Sequence, residues 1–148
     1  MSWCTYQQKP NKGIFEYVIL VGVMNISDLL AKYDISTPRC GAHCGDGWVP
    51  LIESLIIDLI ALGWDKKLSQ VKEKFGGLRF YIDESGLSRA TMEVVTERIR
   101  EAEDKSMTVC ETCGEPGSPH GSYWLKTVCP ECSGKKEQLE KERQNVKQ

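Results

Sequence analysis

The 148-residue chain has only two histidines, no long hydrophobic run and no excess of basic charge. Two histidines are too few for the common hydrolytic sites, and no phosphate-binding loop or dinucleotide fingerprint is recognisable. The apolar stretch from Ile14 to Met24 is only about eleven residues long, which is too short to span a bilayer. A net charge of −2 argues against binding nucleic acid through bulk charge. We therefore predict a protein that is not an enzyme and has no membrane span.

What the chain does have is cysteine, seven in all. Four of them form two Cys-x-x-Cys pairs separated by fifteen residues, the spacing of a structural zinc site. The four predicted zinc ligands are Cys110, Cys113, Cys129 and Cys132. A two-residue gap lets one tight turn aim both thiolates at one ion, and Gly114 and Gly134 can supply the positive φ of such turns. Four thiolates fill a tetrahedral sphere, so we predict a structural zinc ribbon; redox pairs or two disulfides are the alternatives.

The remaining cysteines raise a second question. Cys40, His43 and Cys44 lie close together in a glycine-rich loop, and with Cys4 they could form a second metal site, although a buried cysteine pair is the more common outcome. His120 lies between the ribbon pairs and is predicted to be a surface residue. Thiolates that stay available to metal indicate a reducing compartment, and hence the cytoplasm.

Hydrophobic patterning predicts an α+β fold, with a small antiparallel sheet packed against a central apolar helix and an amphipathic helix. The predicted elements are a strand from Phe15 to Val23, a short helix from Ser27 to Tyr33, a helix from Trp48 to Leu62, a hairpin from Leu68 to Asp83, a helix from Ser88 to about Lys105 and a polar helix or frayed tail from Lys135. We predict an α+β domain over residues 1–106, the ribbon over 107–134 and the tail over 135–148.

Three details of these elements are specific predictions. Ser27 should cap the short helix, and the helix from Trp48 should keep a narrow polar face at Glu53, Ser54 and Asp58. In the hairpin, Val71, Glu73 and Phe75 alternate on one arm and Leu78, Phe80 and Ile82 on the other, with the turn at Gly76 and Gly77. In the amphipathic helix, Glu101 and Lys105 should form an i,i+4 pair.

The segment Gly45-Asp46-Gly47-Trp48 allows two interpretations. Asp46 could be the acid or base of an active-site loop. It could also cap the central helix while Trp48 anchors that helix in the core, and this second interpretation is the one that we favour.

Several motifs together resemble those of a group of small proteins encoded by bacteriophages and prophages. The shared motifs are Cys44-Gly-Asp-Gly-Trp48, the stretch from Gln70 to Tyr81 (QVKEKFGGLRFY), Cys110-x-x-Cys-Gly and Cys129-x-x-Cys. The resemblance covers roughly residues 44–132 and implies a genomic setting rather than a mechanism. Small accessory phage proteins often act by binding a host protein, including components of antiviral defence, so the resemblance implies such a partner in the bacterial cytoplasm.

The functional prediction is therefore non-enzymatic binding to a host protein, with nucleic-acid binding through the hairpin and ribbon as the alternative. A protein without a catalytic constellation acts through its surface, and aromatic and arginine side chains commonly anchor interfaces. The predicted contact residues are Lys72, Lys74, Arg79, Tyr81, Tyr123 and Trp124. The alternatives are structural roles: the lysines lie on the solvated face of a hairpin, and the ribbon aromatics cover a small core.

Overall fold

A computed structural model describes residues 24–36 and 41–145 of the chain and confirms a mixed α and β fold. The elements are α1 (Ile26–Lys32), β1 (Ala42–His43), a 3-10 helix (Asp46–Trp48), α2 (Val49–Ala61), β2 (Leu68–Lys74), β3 (Gly77–Ile82), α3 (Arg89–Ser106), β4 (Ser118–His120), β5 (Lys126–Val128) and α4 (Pro130–Asn145). The strand predicted from Phe15 to Val23 lies outside the described residues. No helix among the described residues is long and apolar enough to cross a membrane.

Helix α2 forms the centre of the core, as its almost wholly apolar sequence predicts. Ile52, Ile56 and Leu59 are fully buried, and Pro50 lies in the first turn, where its missing N–H is not needed. The predicted polar face is wrong at Glu53, which is buried and accepts hydrogen bonds from Lys32 Nζ at 2.7 Å and Tyr33 Oη at 2.9 Å. The carboxylate is tolerated in the core because α1 supplies partners for it.

The start of α1 corrects a second prediction. Asn25, not Ser27, is the N-cap, and its side chain accepts a hydrogen bond from Asp28 N at 2.9 Å. Ser27 lies within the helix. Asparagine and serine are equally good N-caps, so the sequence pattern alone does not determine at which of the two residues the helix begins.

The main sheet has the strand order β1-β2-β3, and the predicted hairpin is its antiparallel part. A short parallel strand, β1, joins it where the sequence predicts only a loop, with Ala42 opposite Val71. The turn is also displaced by one residue: Lys74 pairs with Gly77, so Phe75 and Gly76 form the turn, with φ of 54° and 80°. Two positive φ values fit the right-handed twist of a two-residue hairpin, and Phe75 is exposed at the turn instead of continuing the alternation of the first arm.

Helix α3 packs against β3 and confirms the predicted amphipathic helix. Ser88 caps it by accepting from Thr91 N at 3.2 Å, and Val95 and Ala102 on its apolar stripe are buried. The predicted i,i+4 pair is wrong, because Glu101 forms its ion pair with Arg98 (Nη1–Oε2 2.7 Å), three residues earlier.

Side chains of α3 also cover the outer edge of β3. Ser106 Oγ accepts from Leu78 N at 2.8 Å, and Glu103 Oε1 accepts from Phe80 N at 3.0 Å. These two N–H groups would otherwise be free to pair with another strand. The edge is thereby protected from strand addition.

The C-terminal part contains a small β4-β5 hairpin followed by α4. Gly114 has the predicted positive φ of 80°, but Gly134 lies inside α4 and that prediction is wrong. Helix α4 begins at Pro130, directly after Cys129, so the second Cys-x-x-Cys pair spans a helix start instead of a glycine turn. The predicted polar helix thus starts five residues earlier than the tail from Lys135.

Candidate metal centre and its attachment to the fold

The four cysteines of the two Cys-x-x-Cys pairs come together at one point. The sulfur atoms of Cys110, Cys113, Cys129 and Cys132 all lie within 4.8 Å of one another. A tetrahedral site with metal–sulfur bonds of about 2.3 Å has sulfur–sulfur edges of about 3.8 Å. The sulfurs of Cys113 and Cys129 are 3.6 Å apart, close to that edge. The donor set and its size therefore fit one tetrahedral metal ion held by four thiolates.

Main-chain N–H groups favour the thiolate of one of the four cysteines, Cys110. Burial raises the pKa of the Cys110 thiol, but backbone N–H groups of Cys113, Cys129 and Thr112 outweigh burial and lower that pKa to about 7. In the second pair, Cys132 N donates to the sulfur of Cys129 at 3.4 Å. Burial and neighbouring cysteine sulfurs act the other way on two further ligands: they raise the pKa of the Cys132 thiol to about 11 and hold that of the Cys113 thiol well above its usual value. Because the thiolate is the form that ligates metal, binding of a cation would release protons from these two thiols.

The turn that carries Cys110 and Cys113, which we call the metal-binding turn, packs against the loop that begins with Cys44-Gly-Asp-Gly-Trp48. Gly47 N donates to Glu111 O at 2.8 Å, and Gly45 N donates to Glu111 Oε1 at 3.0 Å. The approach is so close that a Cβ at Gly47 would lie 2.3 Å from Cys110 O, and one at Gly45 would lie 2.2 Å from Glu111 O. Both glycines are therefore required by the contact with the metal-binding turn.

Asp46 and Trp48 also hold parts of the structure together. Trp48 is fully buried and its Nε1 donates to Val109 O at 2.8 Å, which confirms it as an anchor. Asp46 does not cap the central helix. Its Oδ1 accepts from Ile26 N at 3.2 Å, so it satisfies the first N–H of α1 instead. The loop thus joins α1, α2 and the metal-binding turn.

The tip of the main hairpin also contacts the ribbon. Thr127 is fully buried, and its Oγ1 donates to Gly76 O at 2.6 Å. Gly77 lies against Met107, where an added Cβ would be 2.8 Å from Sδ. The ribbon thus contacts both the loop that begins at Cys44 and the tip of the main hairpin. The predicted boundary between residues 106 and 107 stays a prediction, but many buried contacts cross it.

A charged triad connects the ribbon with the hairpin. Lys126 Nζ lies 3.1 Å from Glu73 Oε2 and 2.9 Å from Glu111 Oε2. The two carboxylate side chains are only 9% and 7% exposed, against 32% for Lys126. Burial lowers the pKa of Lys126, but the carboxylates of Glu111 and Glu73 outweigh burial and raise it. The triad could not be predicted from the sequence, since its members are 38 and 15 residues apart and no local pattern relates them.

Removing the lysine should leave two carboxylates in a poorly hydrated gap. We expect Lys126→Met to reduce the free energy of unfolding by about 2 kcal/mol, below the range for a fully buried pair because Lys126 is partly solvated. Urea unfolding followed by circular dichroism would measure the change. Lys67→Met is the matched control: it removes a pair of similar length, 2.8 Å to Asp65, whose members are both exposed, and its effect should be much smaller because solvent screens the pair. Equal effects of the two substitutions would contradict the role of the triad.

The second predicted metal site is not assembled by the described residues. Cys4 and Cys40 lie outside them, His43 is exposed in β1, and Cys44 is half-buried. Burial, helped by the nearby Glu111 and Asp46 carboxylates, raises the pKa of the Cys44 thiol to about 12, which disfavours its thiolate. His120 is exposed in β4, as predicted, with Nε2 3.1 Å from Ser118 Oγ.

The predicted contact residues fall on two separate features. Lys72, Lys74, Arg79 and Tyr81 share the solvated face of the main sheet. Tyr123 and Trp124 lie in the loop between β4 and β5, and they are 102% and 71% exposed. The alternative in which these aromatics cover the ribbon core is therefore wrong. Next to them, Leu125, which sequence reasoning did not single out, is 37% exposed.

Comparisons of this chain with protein-family models, with curated proteins and with solved structures give no match. The resemblance to bacteriophage proteins therefore stays a prediction. The features that bear on function are the cysteine cluster and the exposed side chains.

Proposed function

We propose that this protein is a zinc-stabilised, non-enzymatic binding protein whose ribbon loop contacts a host protein. The observation that carries the proposal is the run Tyr123-Trp124-Leu125, three consecutive large hydrophobic side chains exposed to solvent. Exposed apolar clusters of this kind commonly mark interaction sites, and tyrosine and tryptophan are the residue types that most often dominate binding energy.

Zinc is the metal that the donor set favours. Tetrahedral sites of four thiolates hold zinc or iron, and the spacing of two Cys-x-x-Cys pairs around a small hairpin is that of a structural zinc ribbon. All four positions of the sphere would be occupied by protein ligands, leaving none for water or substrate. The metal would then fix the base of the 121–125 loop and leave the chemistry of binding to its side chains.

The kind of partner follows from the phage-like motifs. Accessory phage proteins often act on host proteins, so we propose that the partner is a bacterial host protein, for example a component of antiviral defence. The same setting gives the bacterial cytoplasm as the site of action. Binding that blocks or redirects the partner needs no catalytic group.

A pull-down from bacterial lysate tests the proposal. We expect the wild-type protein to retain a host protein after nuclease treatment. Trp124→Ala should lower the affinity for that protein at least about tenfold, because an exposed anchor contributes about 2 kcal/mol or more, and only in the complex. Thermal melts should be unchanged, since Trp124 is largely solvated in the free protein.

Leu139→Ala is the control, because it removes another exposed hydrophobic side chain, from α4. It should retain the partner as the wild type does. Retention of the same host protein by Trp124→Ala and Tyr123→Ala with wild-type affinity would show that the ribbon loop is not the contact.

A further inference from the structure

The solvated face of the main sheet has a chemistry different from that of the ribbon loop. In the hairpin register Lys72 pairs with Arg79, and Gln70 pairs with Tyr81, so these four side chains share one face. Lys74 continues the face toward the turn, and His43 of β1 lies beside Lys72. We call this set, with the exposed Phe75 at the turn, the cationic sheet face. It contains three basic side chains and two exposed aromatic rings.

The acidic residue of this hairpin points away from that face. Glu73 pairs with the buried Leu78, and its carboxylate is used by Lys126 at 3.1 Å and by Gly76 N at 2.8 Å. Lys72, Lys74 and Arg79 are therefore not paired with a carboxylate of β2 or β3, the two strands that carry them. One guanidinium nitrogen of Arg79 donates to Leu78 O at 2.7 Å. A chain of net charge −2 thus has a local concentration of positive charge.

The cations and aromatic rings lie within reach of one another. Lys72 Nζ is 5.8 Å from the centre of the Tyr81 ring, and Lys74 Nζ is 5.3 Å from that of Phe75. Tyr81 and Phe75 are 46% and 67% exposed. A ring beside an ammonium group can stack a base while the cation contacts the adjoining phosphate.

From this arrangement we infer that the cationic sheet face binds single-stranded nucleic acid. A shallow sheet face with stacking rings suits unpaired bases, whereas reading a duplex requires an element that enters a groove. The recognition would be largely independent of sequence, because stacking and phosphate contacts are available to every base. This activity is separate from the proposed contact at the ribbon loop and does not depend on it.

Fluorescence anisotropy with a labelled oligothymidine of about 15 nucleotides tests the inference, since sites of this kind cover about 4–16 nucleotides. We expect binding at low salt that is tighter than binding to a duplex of the same length. Three phosphate contacts predict a slope of about −2 for log K against log salt, at about 0.7 per contact. The double substitution Lys72→Glu and Lys74→Glu should leave one phosphate contact, so the magnitude of this slope should fall below about 1.

Two control variants separate the face from general effects. Lys135→Glu with Lys141→Glu changes the net charge equally, on exposed residues of α4, and should leave affinity within about twofold. Tyr81→Ala should weaken binding at least about fivefold, whereas Tyr123→Ala, which removes the exposed tyrosine of the ribbon loop, should not.

Three results would overturn the inference. The first is no binding of the oligonucleotide at low salt. The second is equal weakening by the α4 variants and the face variants. The third combines two observations: the wild type does not bind the oligonucleotide, and the Lys72, Lys74 and Tyr81 variants no longer capture the host protein. This result would assign the cationic sheet face to the protein contact instead.

Discussion

Substitution of one metal ligand, Cys113→Ser, should unfold the ribbon and loosen the loop that lies against it. Structural zinc sites contribute apparent binding free energies of about 10–16 kcal/mol, comparable to or above the whole stability of a small domain. Without the fourth ligand, residues 107–134 have few buried apolar side chains to hold them. Hydrogen–deuterium exchange should therefore show loss of amide protection across these residues.

The same experiment distinguishes an integrated ribbon from a freely attached one. Gly47 N donates to Glu111 O, so its protection should fall together with that of the ribbon. Cys44→Ser is the control, because Cys44 is a half-buried thiol outside the cluster, and protection of residues 107–134 should survive it. Unchanged protection of the ribbon in Cys113→Ser would contradict a structural metal site.

The second large effect is expected at Gly47. A methyl group there would meet Cys110 O at 2.3 Å and Gly114 N at 2.6 Å, and both are main-chain atoms that cannot turn aside as a side chain can. We expect Gly47→Ala to reduce the free energy of unfolding by about 3 kcal/mol, the upper part of the range for overpacking. It should also weaken zinc retention, since relief of the clash displaces the metal-binding turn.

Gly134→Ala is the matched control for that substitution. Nothing lies within 4 Å of a Cβ at Gly134, which is inside α4. Alanine should therefore be neutral or stabilise by up to about 1 kcal/mol through its helix propensity. Chemical unfolding of both variants with zinc present measures the contrast, and a Gly47→Ala protein as stable as Gly134→Ala would show that the loop does not pack as described.

The fold could be predicted well from local pattern. The period of apolar residues placed α2 and α3, and the spacing of the cysteine pairs predicted which four sulfurs come together. Errors occurred where a choice depends on partners distant in sequence. Glu53 is tolerated in the core because Lys32, at the end of α1, and Tyr33, directly after it, donate to its carboxylate. Ala42–His43 forms a strand because β2 offers an edge.

The glycine-rich loop shows the same limit most clearly. From sequence, Gly45-Asp46-Gly47-Trp48 was open to interpretation as an active-site loop or a helix cap. Its glycines are explained by the main chain of Cys110 and Glu111, more than sixty residues away. Asp46 likewise pairs with an N–H of α1 that no local pattern relates to it. The metal ligands of the ribbon can be predicted from the spacing of cysteines within a short stretch. The contacts that attach the ribbon to the rest of the fold join residues far apart in sequence and cannot be predicted in this way.

Metal analysis of purified protein, combined with native mass spectrometry, tests the central claim most directly. We expect one zinc ion per chain, no disulfide among Cys110, Cys113, Cys129 and Cys132, and loss of that zinc in Cys113→Ser. Two zinc ions would add the site predicted at Cys4, Cys40, His43 and Cys44. A protein that contains no metal and holds these four cysteines as disulfides while folded would contradict the account.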